Sequence, residues 1–312
     1  MKIFRSAQND KLQPSLFFDS WAEGNEIKDD DGYIKPLYHG TFSDFDRFDI
    51  SKSTKDNFFG NNFIYTSDSP FDVQKNYSSP ESPDLTNKRE FHKEKLYYDD
   101  DYWNELGIDL EDDAAKNEHI EAVLGKMFPN ERGRTLELYG KMSNPVVLDR
   151  ENPTIYYIDF PEENEEDESG FYESTMVNRI SEAYTEALYD VMSNDEKISE
   201  LVGSFLDNFS GDDYISATEI FDFISKQEIY DEEDDTPSAK KTAGQFFLNM
   251  GHDGIVLDAY EHFPDMIHQG VKHYMFPDPK QLKSSIGNTG VYDPNTSVLT
   301  AKRKSIFLKR NS

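Results

Sequence analysis

Two rhythms of apolar residues run through this chain. Short runs rich in β-branched and aromatic side chains, closed off by Gly, Asn, Asp or Ser, predict strands. They occur at "YIKPLYHGT" (33–41), "NNFIYTSD" (61–68), "DGIVLDAY" (253–260) and "KHYMFPD" (272–278). "TLELYGKMSNPVVLD" (135–149) reads as a strand, a turn at Asn144-Pro145 and a second short strand. Helical spacing takes over between 170 and 248. There Val177, Ile180, Tyr184, Leu188 and Val191, then Ile198, Leu201, Val202, Phe205 and Leu206, mark helix faces. Smaller helical pieces are expected around 88–106, over 113–128, and over "PFDVQKNYS" (70–78), with Pro70 near the first helical position. At the N-terminus, Leu16, Phe17, Phe18 and Trp21 suggest a helix leading to the polar turn "KDDDG".

Acidic runs at 162–168 and 231–235 bracket the long helical section, and blocks of like charge are ordinarily solvated linkers. The expected class is α+β. The expected organisation is an N-terminal helical lead-in (1–32), a core in two pieces (33–160 and 244–297), an inserted helical subdomain (161–243) and a basic C-terminal tail (298–312).

Composition narrows the function. Lys and Arg number 32 against 62 Asp and Glu, a formal net charge of −30. Phosphate backbones need a dense basic face, so nucleic acid is not an expected partner, and neither is an anionic membrane. Self-repulsion at this charge costs stability, and 23 Phe and 18 Tyr supply the apolar area to offset it. The absence of cysteine excludes disulfides, thiol catalysis and Cys-based zinc sites. The opening "MKIFRSAQNDKLQPSLFF" lacks an uninterrupted apolar stretch, and no later run is long enough to span a bilayer, so a cytoplasmic location is expected.

Candidate chemistry gathers on the first two strands. His39, Gly40 and Thr41 stand in a row at the end of the first, Tyr65 lies in the second, and Tyr77 lies at the end of the following helix. Together with "GHDGIVLD" and "HYMFPDPKQLKSSIGNTGVYDP", this ordered series resembles the ADP-ribosyltransferases embedded in phage polyvalent proteins and in some secreted bacterial effectors. The resemblance covers roughly 33–160 and 244–297. It implies a split, antiparallel-rich β-sheet ADP-ribosyltransferase core that uses NAD as co-substrate, releases nicotinamide and modifies a protein acceptor. His39 is then expected to bond a ribose hydroxyl. Gly40, next to Thr41, would clamp the nicotinamide amide through its backbone, which a Cβ would hinder. Tyr65 and Tyr77 would stack on the nicotinamide ring. The acceptor would be a host or target-cell enzyme, met by a monomer delivered without a cleavable signal peptide. No metal is expected.

Two departures from the family pattern matter. The family reads Tyr-Phe-Thr where this chain has Ile64-Tyr65-Thr66, and strand alternation makes Phe63 the fallback partner on Tyr65's face. The family's catalytic glutamate precedes the "YMFPD" strand, where this chain has His273. Glu137, inside the apolar run "TLELYG", is the expected substitute, because an acid there is easier to explain facing a cleft than a core. Thr135 occupies the position two residues earlier, where arginine-directed relatives commonly have an acid, so an arginine acceptor rests on charge steering alone. Other features are read blandly. His252, His262, His268 and His273 match no ligand spacing. "NFSGDDYISATE" (208–219) lacks the mid-loop glycine of a calcium loop, and its "SATE" reads as a capping box. No G-x-G-x-x-G occurs, so NAD use would not be of the Rossmann kind. An NAD glycohydrolase and a binding module that kept the fold without catalysis are the competing readings.

Overall fold

The computed structural model describes residues 21–42, 45–50, 58–128, 133–158, 176–210, 212–232 and 236–285. It is a mixed α/β fold built on one mostly antiparallel sheet. The strands are β1 (Pro36–Thr41), β2 (Ile64–Ser67), β3 (Arg134–Gly140), β4 (Val146–Leu148), β9 (Ile255–Asp258), β10 (Lys272–Phe276) and β11 (Leu282–Ser284). Their order is β11-β3-β1-β2-β10-β9-β4, and β4 on β9 is the parallel pair. Two small ribbons lie outside it: β5 (Ile155–Tyr157) with β6 (Tyr214–Ser216), and β7 (Tyr230–Asp231) with β8 (Thr236–Pro237).

The two strand runs read within 135–149 part company. β3 pairs with β1 and β11, whereas β4 crosses to the far edge beside β9. Asn144 makes the crossing possible: its backbone N–H and that of Ser143 donate to the Asp253 carboxylate, and its side chain donates to Gly251 O.

Strand alternation gives the sheet two buried faces. One carries Val146, Leu148, Ile255, Leu257 and Met275. It is covered by helices α5 (Met176–Tyr189), α6 (Asp195–Asn208), α7 (Ala217–Ser225) and α8 (Ala239–Asn249), which join it in a single core through Tyr184, Phe205, Ile220, Phe246 and Phe247. The spacing read over 170–248 is the buried face of these helices. The junction drawn between 243 and 244 lies inside α8, and residues 176–243 share their core with the sheet. The opposite face carries Leu37, Ile64, Leu138, Tyr274 and Phe276 and packs on Ile27 and Phe48.

The helix expected over 70–78 starts as read, with Ser69 capping α1 (Pro70–Val73) and Pro70 in its first turn, but ends as a π-helical turn, Gln74–Ser78. The helix expected around 88–106 is two helices, α2 (Pro83–Tyr97) and α3 (Asp100–Leu106). Asp99 breaks the run by capping α3 through Tyr102 N–H. Helix α4 (Asp113–Met127) matches the third expected piece, and α9 (Ala259–His262) is a single turn. The basic tail and most of the N-terminal lead-in lie outside the described residues. Among the described residues, no helix is long and apolar enough to cross a membrane.

Candidate functional site

The sheet opens between β1 and β2. These strands share one register pair, Tyr38 with Ser67. Past it they separate, and a cleft of roughly 1770 Å³ follows the gap, larger than the ~300–1,000 Å³ usual for small-molecule sites.

Pairing parity fixes what the gap exposes. Ser285 N–H donates to Glu137 O (3.0 Å), so the backbone of Glu137 faces β11. Glu137 pairs with Tyr38, so the backbone groups of Tyr38, and by alternation of Gly40, turn toward β2. At Tyr38 they meet Ser67. At Gly40 no register pair continues, because the His39 imidazole has taken the carbonyl across the gap, with Nδ1 at 2.8 Å from Tyr65 O. The N–H and C=O of Gly40 therefore face the cleft.

The carbonyl of Tyr65 can only accept, so His39 Nδ1 carries the proton and Nε2 is left as an acceptor. The ring is held edge-on by Phe48 (centroids 4.9 Å) and Phe45 (6.3 Å). This enclosure pushes the imidazole down to about 4 and keeps it neutral, against the weaker opposing effect of its bond to Tyr65.

Gly40 is crowded from one side. A Cβ there would lie 2.6 Å from Tyr77 Cβ and 3.0 Å from its backbone carbon. The close approach this glycine permits is thus first of all that of Tyr77, which the π-helical turn lays across β1. Ser78 continues the contact by a 3.0 Å hydroxyl bond to Thr135 on β3. Tyr77's hydroxyl has no hydrogen-bond partner among the described residues, and burial raises its pKa. Thr41 and Phe63 also line the cleft, with Phe63 almost fully buried. Tyr65 lies with Phe63 on the helix-covered face, as the alternation argument requires. Its hydroxyl accepts from Phe59 N–H (2.7 Å) and reaches Gly60 O (3.4 Å), which ties the ring to the loop before β2.

Glu137 is half-buried on the same face as Gly40, between Tyr38 and Tyr139. Its carboxylate has no hydrogen bond or ion pair among the described residues. It is not among the residues lining the cleft, which reaches Tyr38 but stops short of β3.

The position expected to hold a glutamate holds a different device. His273 is buried, with Nε2 2.9 Å from Asp72 Oδ2. Asp72 sits in α1, and its Oδ1 accepts from Asn76 Nδ2 at 2.7 Å. Burial works to raise the Asp72 pKa, but hydrogen bonds from His273, Ser67 and Asn76 outweigh it and hold the carboxyl below its ordinary range. Asn76 donates also to Met266 O (3.5 Å). Both neighbours of its amide nitrogen are acceptors, which sets the amide's orientation. Its Oδ1 is buried with no partner. His273 Nδ1 likewise has none among the described residues. His273, Asn76 and Tyr77 line the cleft, with the His273 and Tyr77 rings 6.1 Å apart.

Asp72 and Asn76 escaped the sequence reading. Their signal was present: two polar residues one helical turn apart, on a short helix facing the His-bearing strand. The other grouped histidines are dispersed. His252 bonds Tyr156 and Asn144, His262 lies between Phe58 and Phe221, and His268 stacks on Phe71. The chain matches no family model, no curated protein and no solved structure.

Proposed function

We propose that the protein binds NAD in the cleft between β1 and β2 and transfers its ADP-ribose to a protein acceptor, releasing nicotinamide. The observation that carries this reading is the open ladder at Gly40. A donor and an acceptor on one residue face the cleft, matched to a carboxamide, and His39 Nε2 beside them is an acceptor matched to a ribose hydroxyl. Tyr77 offers an aromatic face at the same place. Arg47, Lys88, Lys240 and Lys241 line the cleft together with Asp46, Asp49, Asp84, Glu228 and Asp231. Arg47, Lys88 and Lys241 are paired to Asp46, Asp84 and Asp231, and among the described residues Lys240 is the lining cation left to meet a pyrophosphate.

Breaking the nicotinamide–ribose bond develops positive charge on the ribose, which a carboxylate stabilises. Glu137, the acid the sequence offers for that role, stands unpaired among the described residues on Gly40's face but one strand beyond the cleft's lining, so its part in the reaction is what Glu137→Gln tests. The test is incubation of labelled NAD with the protein and a cell lysate. Label should enter protein with the wild type. His39→Ala should weaken NAD binding about 10-fold or more, losing a hydrogen bond and an enclosing ring. Glu137→Gln should bind NAD normally and transfer on the order of 100-fold more slowly. Undiminished transfer by that variant removes Glu137 from the mechanism, and no NAD binding by the wild type removes the reading altogether. His273 at the glutamate position favours a second reading, a binding module on the same scaffold without turnover. Saturable NAD binding without label or free ADP-ribose is its signature.

A further inference from the structure

The Asp72–His273–Asn76 group is a built site that the reading above leaves unused. The three side chains are each about nineteen-twentieths buried; His273 and Asn76 line the cleft while Asp72 does not, and His273 Nδ1 has no hydrogen-bond partner among the described residues. Asn76 Oδ1 is sealed away from solvent, whereas the unpartnered His273 Nδ1 is not, so the imidazole nitrogen is the place for an external donor. The carboxylate of Asp72 only accepts, so His273 Nε2 is the donor of their bond, and in the neutral ring Nδ1 keeps its lone pair. Nε2 is taken by Asp72, which does not line the cleft, and Nδ1 is not sealed from solvent, so the Nδ1 edge is the one that can meet a ligand.

We propose that His273 is the general base for the nucleophile that attacks the ribose, and that this nucleophile is a neutral hydroxyl that donates to His273 Nδ1. The inference rests on the NAD reading and deepens it. In the step, the bond between ribose C1′ and the nicotinamide nitrogen breaks, and its electron pair leaves with nicotinamide. The hydroxyl oxygen forms the new bond to C1′, and its proton passes to His273 Nδ1 and on to solvent. Asp72 stabilises the imidazolium so formed, as a carboxylate behind a catalytic imidazole does. A single imidazole acceptor suits an O–H group. A guanidinium also offers donors, but an imidazole is too weak a base to deprotonate it, and the carboxylate that would pair with it is turned away. The hydroxyl's source is either water or a Ser, Thr or Tyr side chain.

The titratable groups facing His273 are Asp72 from α1 and Tyr77 from the π-helical turn. β2 presents Ser67, β9 presents Leu257, and the chain after α9 presents Phe263.

The test follows turnover of labelled NAD with and without lysate, in the wild type, His273→Gln, Asp72→Asn and Asn76→Ala, each checked for a cooperative melt. His273→Gln should lose on the order of 100-fold in kcat with KM for NAD within about 3-fold. Asp72→Asn should lower kcat and move the rising limb of the pH–rate profile to lower pH, a response that a purely structural role would not give. Asn76→Ala keeps the dyad and removes one donor from Asp72, so it should move that limb to higher pH with KM for NAD unchanged. It serves if the dyad variants fail to fold, and an unmoved limb counts against the proposal. Free ADP-ribose as sole product assigns water, and mass-spectrometric mapping to Ser, Thr or Tyr assigns a protein hydroxyl. Mapping to arginine, or wild-type kcat in folded His273→Gln, overturns the proposal while the NAD reading stands. Absence of NAD turnover in the wild type overturns it together with the transferase.

Discussion

Gly40 and His39 sit next to each other and were legible to different degrees. A glycine at a strand end signals a close approach, and the sequence showed that much. Tyr77 is expected at this site from the sequence, but as a ring for the ligand; that it packs directly on the glycine depends on the π-helical turn, which no local pattern predicts. An added Cβ would meet Tyr77 Cβ at 2.6 Å, with that residue's backbone close behind, so neither side can yield cheaply. Gly40→Ala should therefore destabilise the protein by ~1–3 kcal/mol, read as a lower denaturation midpoint with an unchanged slope. An unchanged midpoint would mean that the turn moves freely. His39 gives a prediction in pH. An unfolded imidazole titrates near ~6.5, and the enclosed His39 at about 4. Between these values the unfolded chain holds the proton and the folded chain does not, so stability rises with pH there. His39's contribution is complete above the upper value and is lost as pH falls toward the lower. Burial lowers His252 and His262 in the same direction, so the informative quantity is a difference. Chemical denaturation across that range should fall less steeply for His39→Gln than for the wild type, and parallel curves would contradict the assignment.

Elements were legible where their signal is short in sequence. "SATE" is one such case. Ser216 Oγ accepts from Glu219 N–H while the Glu219 carboxylate accepts from Ser216 N–H, a reciprocal cap that starts α7. The same residues that faintly suggested a calcium loop are spent on this cap. Ser216→Ala should cost about 1 kcal/mol in denaturant titrations, and calcium should leave both proteins' midpoints unmoved. A calcium-dependent midpoint would restore the loop reading. Elements whose definition depends on distant partners were not legible. The run 214–216 is a strand because residues 155–157 lie beside it, and β4 lies at the far edge because Asp253 holds Ser143 and Asn144. The site divides along the same line. His39, Gly40, Tyr65 and Tyr77 carried local signals and are brought to one cleft, whereas Asp72 became significant only when folding set it against His273.

At the scale of the molecule, the apparent division of the chain is inverted. Charge runs marked 161–243 as a separate body, yet its helices share the largest core with Ile255, Leu257 and Met275 of the sheet. Residues 83–127 carried no such boundary marks, yet α2, α3 and α4 enclose a small cluster of their own. Trp103, Ile120 and Leu124 are its buried members, and α2 rests on the π-helical turn. Stability follows buried apolar contact, so local opening should be cheapest where the enclosed cluster is smallest. Hydrogen exchange followed peptide by peptide should therefore show 83–127 exchanging at least ~10-fold faster than 176–208 and 239–249. Trp103 is one of two tryptophans, so its fluorescence should change before the helical circular dichroism of the main core during denaturant titration. Coincident transitions, with uniform protection across both sets of helices, would show instead that the satellite is locked to the sheet. Because α2 adjoins the turn that carries Asn76 and Tyr77, early loosening of that satellite would place the cleft wall at the least stable margin of the molecule. A ligand seated against Tyr77 should then slow exchange in 83–97 more than in 176–189, and NAD is the ligand with which to measure it.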